Sequence, residues 1–194
     1  MSRPDHLLLR RARDGDTAAF GELVERHQSR IYAVCLRILA DPEEARDAAQ
    51  DAFITACRKL AQYRGDAAFS TWLHRIAVNA CYDELRRAKR RPMLHAATAT
   101  DDDRAPEPGP PSADHADEIA GTLDVTRALA AIPDDFRIAL VLADIEDLPY
   151  DEIARVLEVP VGTVKSRVHR GRIALAKELT GEPRGAHGAS EEGR

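Results

Sequence analysis

Lys165, Arg167, Arg170, Arg172 and Lys177 fall within residues 161 to 177, a stretch without a single Asp or Glu. Guanidinium and ammonium groups gathered in this way donate charged hydrogen bonds to phosphate oxygens, and they also reach the acceptor edge of guanine. On a helix, Lys165, Ser166, His169 and Arg170 project from one face of its N-terminal half. A second set, Asp47, Gln50, Asp51 and Ile54, follows i, i+3, i+4, i+7 spacing and lines another helix face. Acid, amide and one exposed aliphatic side chain suit docking on a basic protein surface. In a third set, Arg75, Asn79 and Arg86 share a face, and Asn is a poor helix former in mid-helix, which argues for a polar reason at 79. An amide there both donates and accepts hydrogen bonds, and the arginines beside it can hold anionic groups. Five of the six residues from Arg86 to Arg91 are basic, more than is needed to oppose a helix dipole, so the cluster is read as a phosphate contact.

Amphipathic stretches must carry these side chains. From Asp16 to Ala40 the residues Phe20, Leu23, Val24, Ile31, Val34, Cys35 and Ile38 recur at helical spacing, with Asp16 as cap and His27 packed on the same stripe. Asp41-Pro42-Glu43-Glu44 reads as an N-cap, a proline at the first helical position and an acidic first turn. The helix it opens turns Ala45, Ala48, Ala49, Ala52, Phe53, Ala56 and Leu60 inward. After a break at Tyr63 to Asp66, a third helix is predicted from about Phe69 to Arg90, with Phe69 and Trp72 read as core in preference to stacking platforms for bases. Periodicity returns at Ile119, Leu123, Leu129 and Ile132, breaks at Pro133 and resumes through Phe136, Ala139, Leu140 and Leu142. Tyr150 to Leu157 and Val161 to Leu175, separated by Glu158-Val159-Pro160, are too close to be anything but steeply crossed helices, with small Ala154 at the crossing. That is a helix-turn-helix, and its second helix holds the basic stretch.

Between the halves, residues 92 to 117 hold Pro106, Pro108, Gly109, Pro110, Pro111 and the run Asp101-Asp102-Asp103, and have almost nothing to bury. The fold class expected is therefore all-α: two small helical domains, 14–91 and 118–180, joined by a flexible acidic linker, 92–117, with a frayed tail, 181–194. Apolar residues at 44% with only 5% aromatics agree with packed helices. A net charge of -5 argues against coating nucleic acid through bulk positive charge, so DNA binding has to be local. No apolar run approaches a membrane span, and the start Met-Ser-Arg-Pro-Asp is not that of a signal peptide, so a cytoplasmic chain without membrane insertion is expected. Cys35, Cys57 and Cys81, without a CxxC pair, read as small core residues and not as metal or redox groups. Scattered carboxylates and histidines form no catalytic constellation, and no glycine loop cradles a phosphate, so no catalytic residue, cofactor, metal or small-molecule substrate is assigned.

Pro160-Val161-Gly162-Thr163-Val164-Lys165-Ser166-Arg167-Val168-His169-Arg170-Gly171-Arg172, preceded by Tyr150 to Leu157, resembles region four of the extracytoplasmic-function RNA polymerase sigma factors. That resemblance implies reading of the minus-thirty-five promoter element by Lys165, Ser166, Arg167, His169 and Arg170. Pro149 stands where the family has a hydroxyl cap and Glu158 where it has the glycine of the turn. Asp47 to Phe53 resembles region 2.2, which implies binding of the β′ clamp helices by Asp47, Gln50 and Asp51, with Ile54 on the same stripe. Phe69 to Asn79 resembles regions 2.3 and 2.4, which implies capture of the opened minus-ten element by Arg75 and Asn79, with the loop from Tyr63 to Ala68 as wall of the base pocket. Arg86, Arg87 and Arg90 are then the contacts to phosphate upstream of the bubble.

The partners implied are core RNA polymerase (β′ clamp helices and β flap), promoter DNA and an anti-sigma factor. A linker of about 26 residues stretches roughly 85 Å, more than the ~70 Å of two duplex turns, so it can span two promoter elements. Asp101 to Asp103 are expected to stand in for nucleic acid in the polymerase cleft. A stand-alone helix-turn-helix regulator is the alternative, and it requires a dimer interface or a sensing domain that the first half does not display.

Overall fold

The computed structural model describes residues 3–90 and 125–180, and the regular elements within them are helical. The first half comprises α1 (Arg3–Arg13), α2 (Thr17–Leu39), α3 (Pro42–Lys59), a 3-10 turn (Leu60–Gln62) and α4 (Phe69–Arg90). The second has a helical segment over 125–130, then α5 (Asp134–Leu140), a π-helical turn (Val141–Ile145), α6 (Tyr150–Leu157) and α7 (Val161–Thr180). The linker 92–117, including Asp101 to Asp103, and the tail 181–194 lie outside the described residues, as do Arg91, Ile119 and Leu123.

The helix boundaries follow from local chemistry. Asp16 accepts the backbone N–H of Ala19 at 3.0 Å and opens α2, which closes on Ala40 in the left-handed region with its N–H on the Leu36 carbonyl. Asp41 accepts from the N–H groups of Glu43 (2.9 Å) and Glu44 (2.8 Å), Pro42 follows it, and α3 begins there. Leu23, Ile31, Val34, Cys35 and Ile38 of α2 are buried, as are Ala45, Ala48, Ala49, Ala52 and Ala56 of α3. An alanine stripe lets α3 lie close to both α2 and α4. Leu73, Ile76, Ala77, Val78 and Cys81 of α4 complete this core, where each fully buried large aliphatic contributes about 1.5–3 kcal/mol. Cys35 and Cys81 meet inside it, and the hydrogen bond between them together with burial pushes the Cys81 thiol well up, as befits small core residues. Cys57 is exposed.

α1 was not foreseen. Its Leu8 and Leu9 are buried against α2, and Asp5 ties it down through Arg26 (3.2 Å) and His27 (3.3 Å).

In the second half, Ile153 and Val156 of α6 pack on Val164 and Val168 of α7, the steep crossing expected of a helix-turn-helix. Arg137 is buried and its guanidinium caps the preceding helical segment, donating to the carbonyl of Ala130 (3.0 Å) and to Asp134 (2.8 Å). The run read as one helix from Pro133 onward loosens into a π turn at Val141, closed by the Glu146 N–H on the Val141 carbonyl at 3.0 Å. This extra residue per turn rotates Glu146 inward, where it is buried. The second half packs directly on α2 and α4, an arrangement that no single stretch of sequence announces.

Candidate nucleic-acid and polymerase interface

On α3, Asp47, Gln50, Asp51 and Ile54 are all exposed, Ile54 at 40%. Among the described residues neither carboxylate has an ion-pair partner, and both face solvent. The α3–α4 groove beneath them is lined by Asp51, Ile54, Asn79 and Arg87. The structure thus brings the acid-and-amide stripe of α3 and the Asn79 amide to the two banks of one groove. α3 presents the stripe because its alanine face is spent on the core.

Tyr63 follows the 3-10 turn and is buried, its hydroxyl donating to the Ala67 carbonyl at 2.7 Å. Its ring packs at 5.9 Å from Phe69 and 5.2 Å from Trp72, so the loop from Tyr63 to Ala68 is held at one end by an aromatic cluster. Phe69 is fully buried, as read from the sequence; Trp72 is half-buried and also lines a cavity with Tyr63, Gly65, Ala67 and Arg75. Arg155, Val156 and Glu158 of the helix-turn-helix close the other side of that cavity.

Acidic side chains of the second half lie along one face of α4. Glu152 accepts from Thr71, Glu158 pairs with Arg75, Asp135 accepts from the Tyr82 hydroxyl (3.0 Å), and Asp134 pairs with Lys89 (2.7 Å). Positions 71, 75, 82 and 89 are spaced by four and seven and share that face. Burial, with the Asp135 charge beside it, pushes the Tyr82 hydroxyl up to about 12. Glu146 enters deepest, between Arg30 and His74, with His74 Nε2 at 3.2 Å and Arg30 also donating to the Glu146 backbone carbonyl at 3.0 Å. Burial alone would raise the Glu146 carboxyl, but hydrogen bonds from His74 and Arg30 and their charge outweigh it and hold the group below its ordinary value of 4.5. A depressed carboxyl supports the folded arrangement fully above its unfolded value, and that support is lost as pH falls through the lowered one. Small-angle scattering should therefore show the halves packed at neutral pH and separating below about pH 4.5, with Glu146→Gln giving a flatter acid profile than wild type.

Asn79, Arg86, Arg87 and Arg90 are exposed. Arg86 pairs with Asp83 at 3.1 Å and Arg87 with Glu84, both one turn back on the same helix, while Arg90 donates to the Arg86 carbonyl. The exposed Arg86–Asp83 pair contributes little and yields readily to phosphate, whereas Arg87 is held by a buried carboxylate.

On α7, Lys165, Ser166, His169 and Arg170 are exposed, Ser166 donating to the Thr163 carbonyl at 2.9 Å and Arg170 lying 5.8 Å over the Phe136 ring. Arg167 is placed differently: its side chain is 19% exposed and is paired at 2.8 Å with Asp135. Sequence reasoning missed three groups that shape the site, Glu146, His74 and Arg137; a charged or imidazole side chain inside an apolar stripe is the signal that could have found the last two. Glu158 adopts φ 55, the left-handed conformation expected of the glycine it replaces, and its carboxylate is the one that reaches Arg75. Pro149 opens α6 with no side-chain hydrogen bond. No group of His, Cys, Asp and Glu among the described residues could hold a metal ion, and no helix among them is long and apolar enough to cross a membrane.

Comparison with known proteins gives matches to two family models, Sigma-70 region 2 over residues 23–91 and Sigma-70, region 4 over residues 122–175. RNA polymerase sigma-H factor of Pseudomonas aeruginosa is 42% identical over 182 residues, spanning 90% of this chain and 93% of that protein. ECF RNA polymerase sigma factor SigW of Bacillus subtilis is 36% identical, spanning 88% and 94%. Among solved structures, CnrH in complex with the cytosolic domain of CnrY superposes with a TM-score of 0.66 at 26% identity, over 93% of this chain and 99% of that one. The sigma factor RpoE of Bartonella quintana, solved with the anti-sigma factor NepR, shares the fold at 22% identity and a TM-score of 0.65, over 84% and 98%.

Proposed function

The chain belongs to the extracytoplasmic-function RNA polymerase sigma factors, and from that premise we propose how its surfaces divide the work of promoter recognition. As a sigma factor it binds core RNA polymerase and directs promoter-specific initiation, and it acts by binding, without a reaction of its own. Asp47, Gln50, Asp51 and Ile54 dock on the β′ clamp helices. The cavity behind Tyr63, with Arg75 and Asn79, captures the opened minus-ten strand, and Arg86, Arg87 and Arg90 hold phosphate upstream of it. Lys165, Ser166, His169 and Arg170 read the minus-thirty-five element, with Arg167 joining once it leaves Asp135, while the second half rests on the β flap. The domains that do this are 14–91 and 118–180. An anti-sigma factor controls the chain, in the cytoplasm where polymerase works; RpoE of Bartonella quintana, which shares the fold, was solved with one.

One observation carries the reading: an exposed, unpaired acid-and-amide stripe on α3 coexists with an exposed basic helix α7 in one chain. A stand-alone regulator needs only the second. The test is reconstitution with core polymerase and selection of the promoters transcribed. Lys165→Ala should retain core binding and weaken use of the upstream element by roughly 1–3 kcal/mol of discrimination. Unchanged upstream-element preference would remove Lys165 from the interface.

Packing of the second half on α4 supports a further part of this reading, that free sigma is a poor DNA binder and polymerase must part the halves. Glu158 occupies Arg75 and helps roof the Tyr63 cavity. A non-glycine residue in the left-handed region costs about 1–2 kcal/mol, so Glu158→Gly should stabilise the isolated turn while loosening the contact between halves. The expected result is a free protein with detectably stronger binding to a single-stranded minus-ten oligonucleotide; equal or weaker binding contradicts the blocking role.

A further inference from the structure

α1 precedes the segment matched by the region 2 model, which begins at residue 23, and no surface assigned above uses it. Its apolar side is committed to the core through Leu8 and Leu9, and Asp5 fixes its rotation through Arg26 and His27. Arg10 and Arg13, one turn apart, therefore face outward into a groove between α1 and the Tyr63 loop, where Arg64 and His6 join them. Arg10, Arg13 and Arg64 are exposed and make no ion pair among the described residues, whereas the neighbouring Arg11 is tied to Asp16 at 2.7 Å. Asp14 is the one carboxylate on the lining. In a chain of net charge -5, three free guanidinium groups around a single groove are a local excess.

Position decides what that excess is for. The groove shares Tyr63, Arg64 and Gly65 with the cavity that holds Trp72 and Arg75, so the loop is a partition with a base pocket on one side and the arginines on the other. Gly65, at φ 82, has open space where a Cβ would stand, which keeps the partition low. Arg86 and Arg90 lie 11 and 15 residues beyond Arg75 on α4, roughly 16 and 22 Å along the helix axis. A strand entering past Arg86 and leaving over the loop meets Arg64, then Arg10 and Arg13.

We propose that α1 and the Tyr63 loop form a track for the phosphodiester backbone of single-stranded DNA downstream of the flipped base. This rests on the reading of the Tyr63 cavity as the minus-ten base pocket. The track is sequence-tolerant, since it offers guanidinium groups to phosphate, and it extends the grip on the opened strand beyond the element that is read.

Holoenzyme reconstituted with core polymerase is titrated with two labelled non-template oligonucleotides, one ending at the downstream edge of the minus-ten element and one carrying about five more nucleotides. Wild type should bind the longer one more tightly. Arg10→Gln combined with Arg13→Gln should remove that advantage, flatten the dependence of log affinity on log salt by about 1.4 for the longer oligonucleotide only, and cost it about tenfold in affinity at low salt. Binding to the short oligonucleotide and to core polymerase should be unchanged, which also shows that the variant is folded. Equal binding of both lengths by wild type, or a double variant that loses only core affinity, overturns the track and marks the patch, in the second case, as a protein contact. Arg75→Ala must weaken the short oligonucleotide; if it does not, the base-pocket reading fails and the track falls with it.

Discussion

Asp51→Arg should abolish productive association with core polymerase while leaving the fold untouched. Asp51 is exposed on α3, makes no ion pair, and stands one turn from Asp47 and beside Ile54, whose side chain is 40% exposed. A surface substitution at such a place changes stability by no more than about 0.5 kcal/mol. Across an interface the effect is of another order. Reversal loses an attraction and sets like charges face to face, which costs several kcal/mol and therefore a hundredfold or more in affinity. Asp51→Asn loses the attraction alone and should fall between. The measurement is a titration of labelled core polymerase alongside a thermal melt; wild-type affinity in the arginine variant, with an unchanged melt, would show that the α3 stripe is an ordinary solvated face. Raising salt should weaken wild type more than Asp51→Asn, because the removed charge no longer contributes a screened attraction.

How far the sequence carried depended on whether the relevant physics was local. Caps and stripes are local, and Asp16, Asp41-Pro42 and the alanines of α3 placed two helices to within a residue or two of where they lie. α4 was equally legible, since Phe69 and the basic end at Arg90 bound one uninterrupted amphipathic run. α1 escaped because Leu7, Leu8 and Leu9 are consecutive and only two of them are buried, so no period stood out. Contact between the halves escaped for a different reason. Asp134, Asp135, Glu146, Glu152 and Glu158 are spread over three short elements, and only the π turn and the steep α6–α7 crossing make them converge on α4. Glu158 was legible as a departure from glycine, and its left-handed backbone agrees. What could not be read was the compensation, because Arg75 is 83 residues away in sequence.

Gly171→Leu should dismantle the helix-turn-helix while sparing the first half. Gly171 is buried in the middle of α7, where helix propensity argues against glycine by about 1 kcal/mol, so something else must require it. A Cβ built there would stand 2.9 Å from the Phe136 carbonyl oxygen and 3.2 Å from the Leu140 Cβ, both on α5. The nearer atom belongs to backbone and cannot turn aside, so α7 has to move off α5. Gly171→Ala sets a propensity gain of about 1 kcal/mol against overpacking of about 1–3 kcal/mol and should be mildly destabilising. Leucine adds three more heavy atoms with nowhere to go and should exceed that range. Val164 and Val168 share the buried face of α7, so a shift there moves the whole recognition helix, and Arg170, stacked over Phe136, moves with it. Core binding and capture of a single-stranded minus-ten oligonucleotide should survive, since Asp51 and Tyr63 are carried by α3 and the loop after the 3-10 turn, outside the α5–α7 approach at Gly171, while recognition of the duplex upstream element disappears. Retained upstream recognition in the leucine variant would mean that α5 and α7 can separate without cost, which their close approach at Gly171 contradicts.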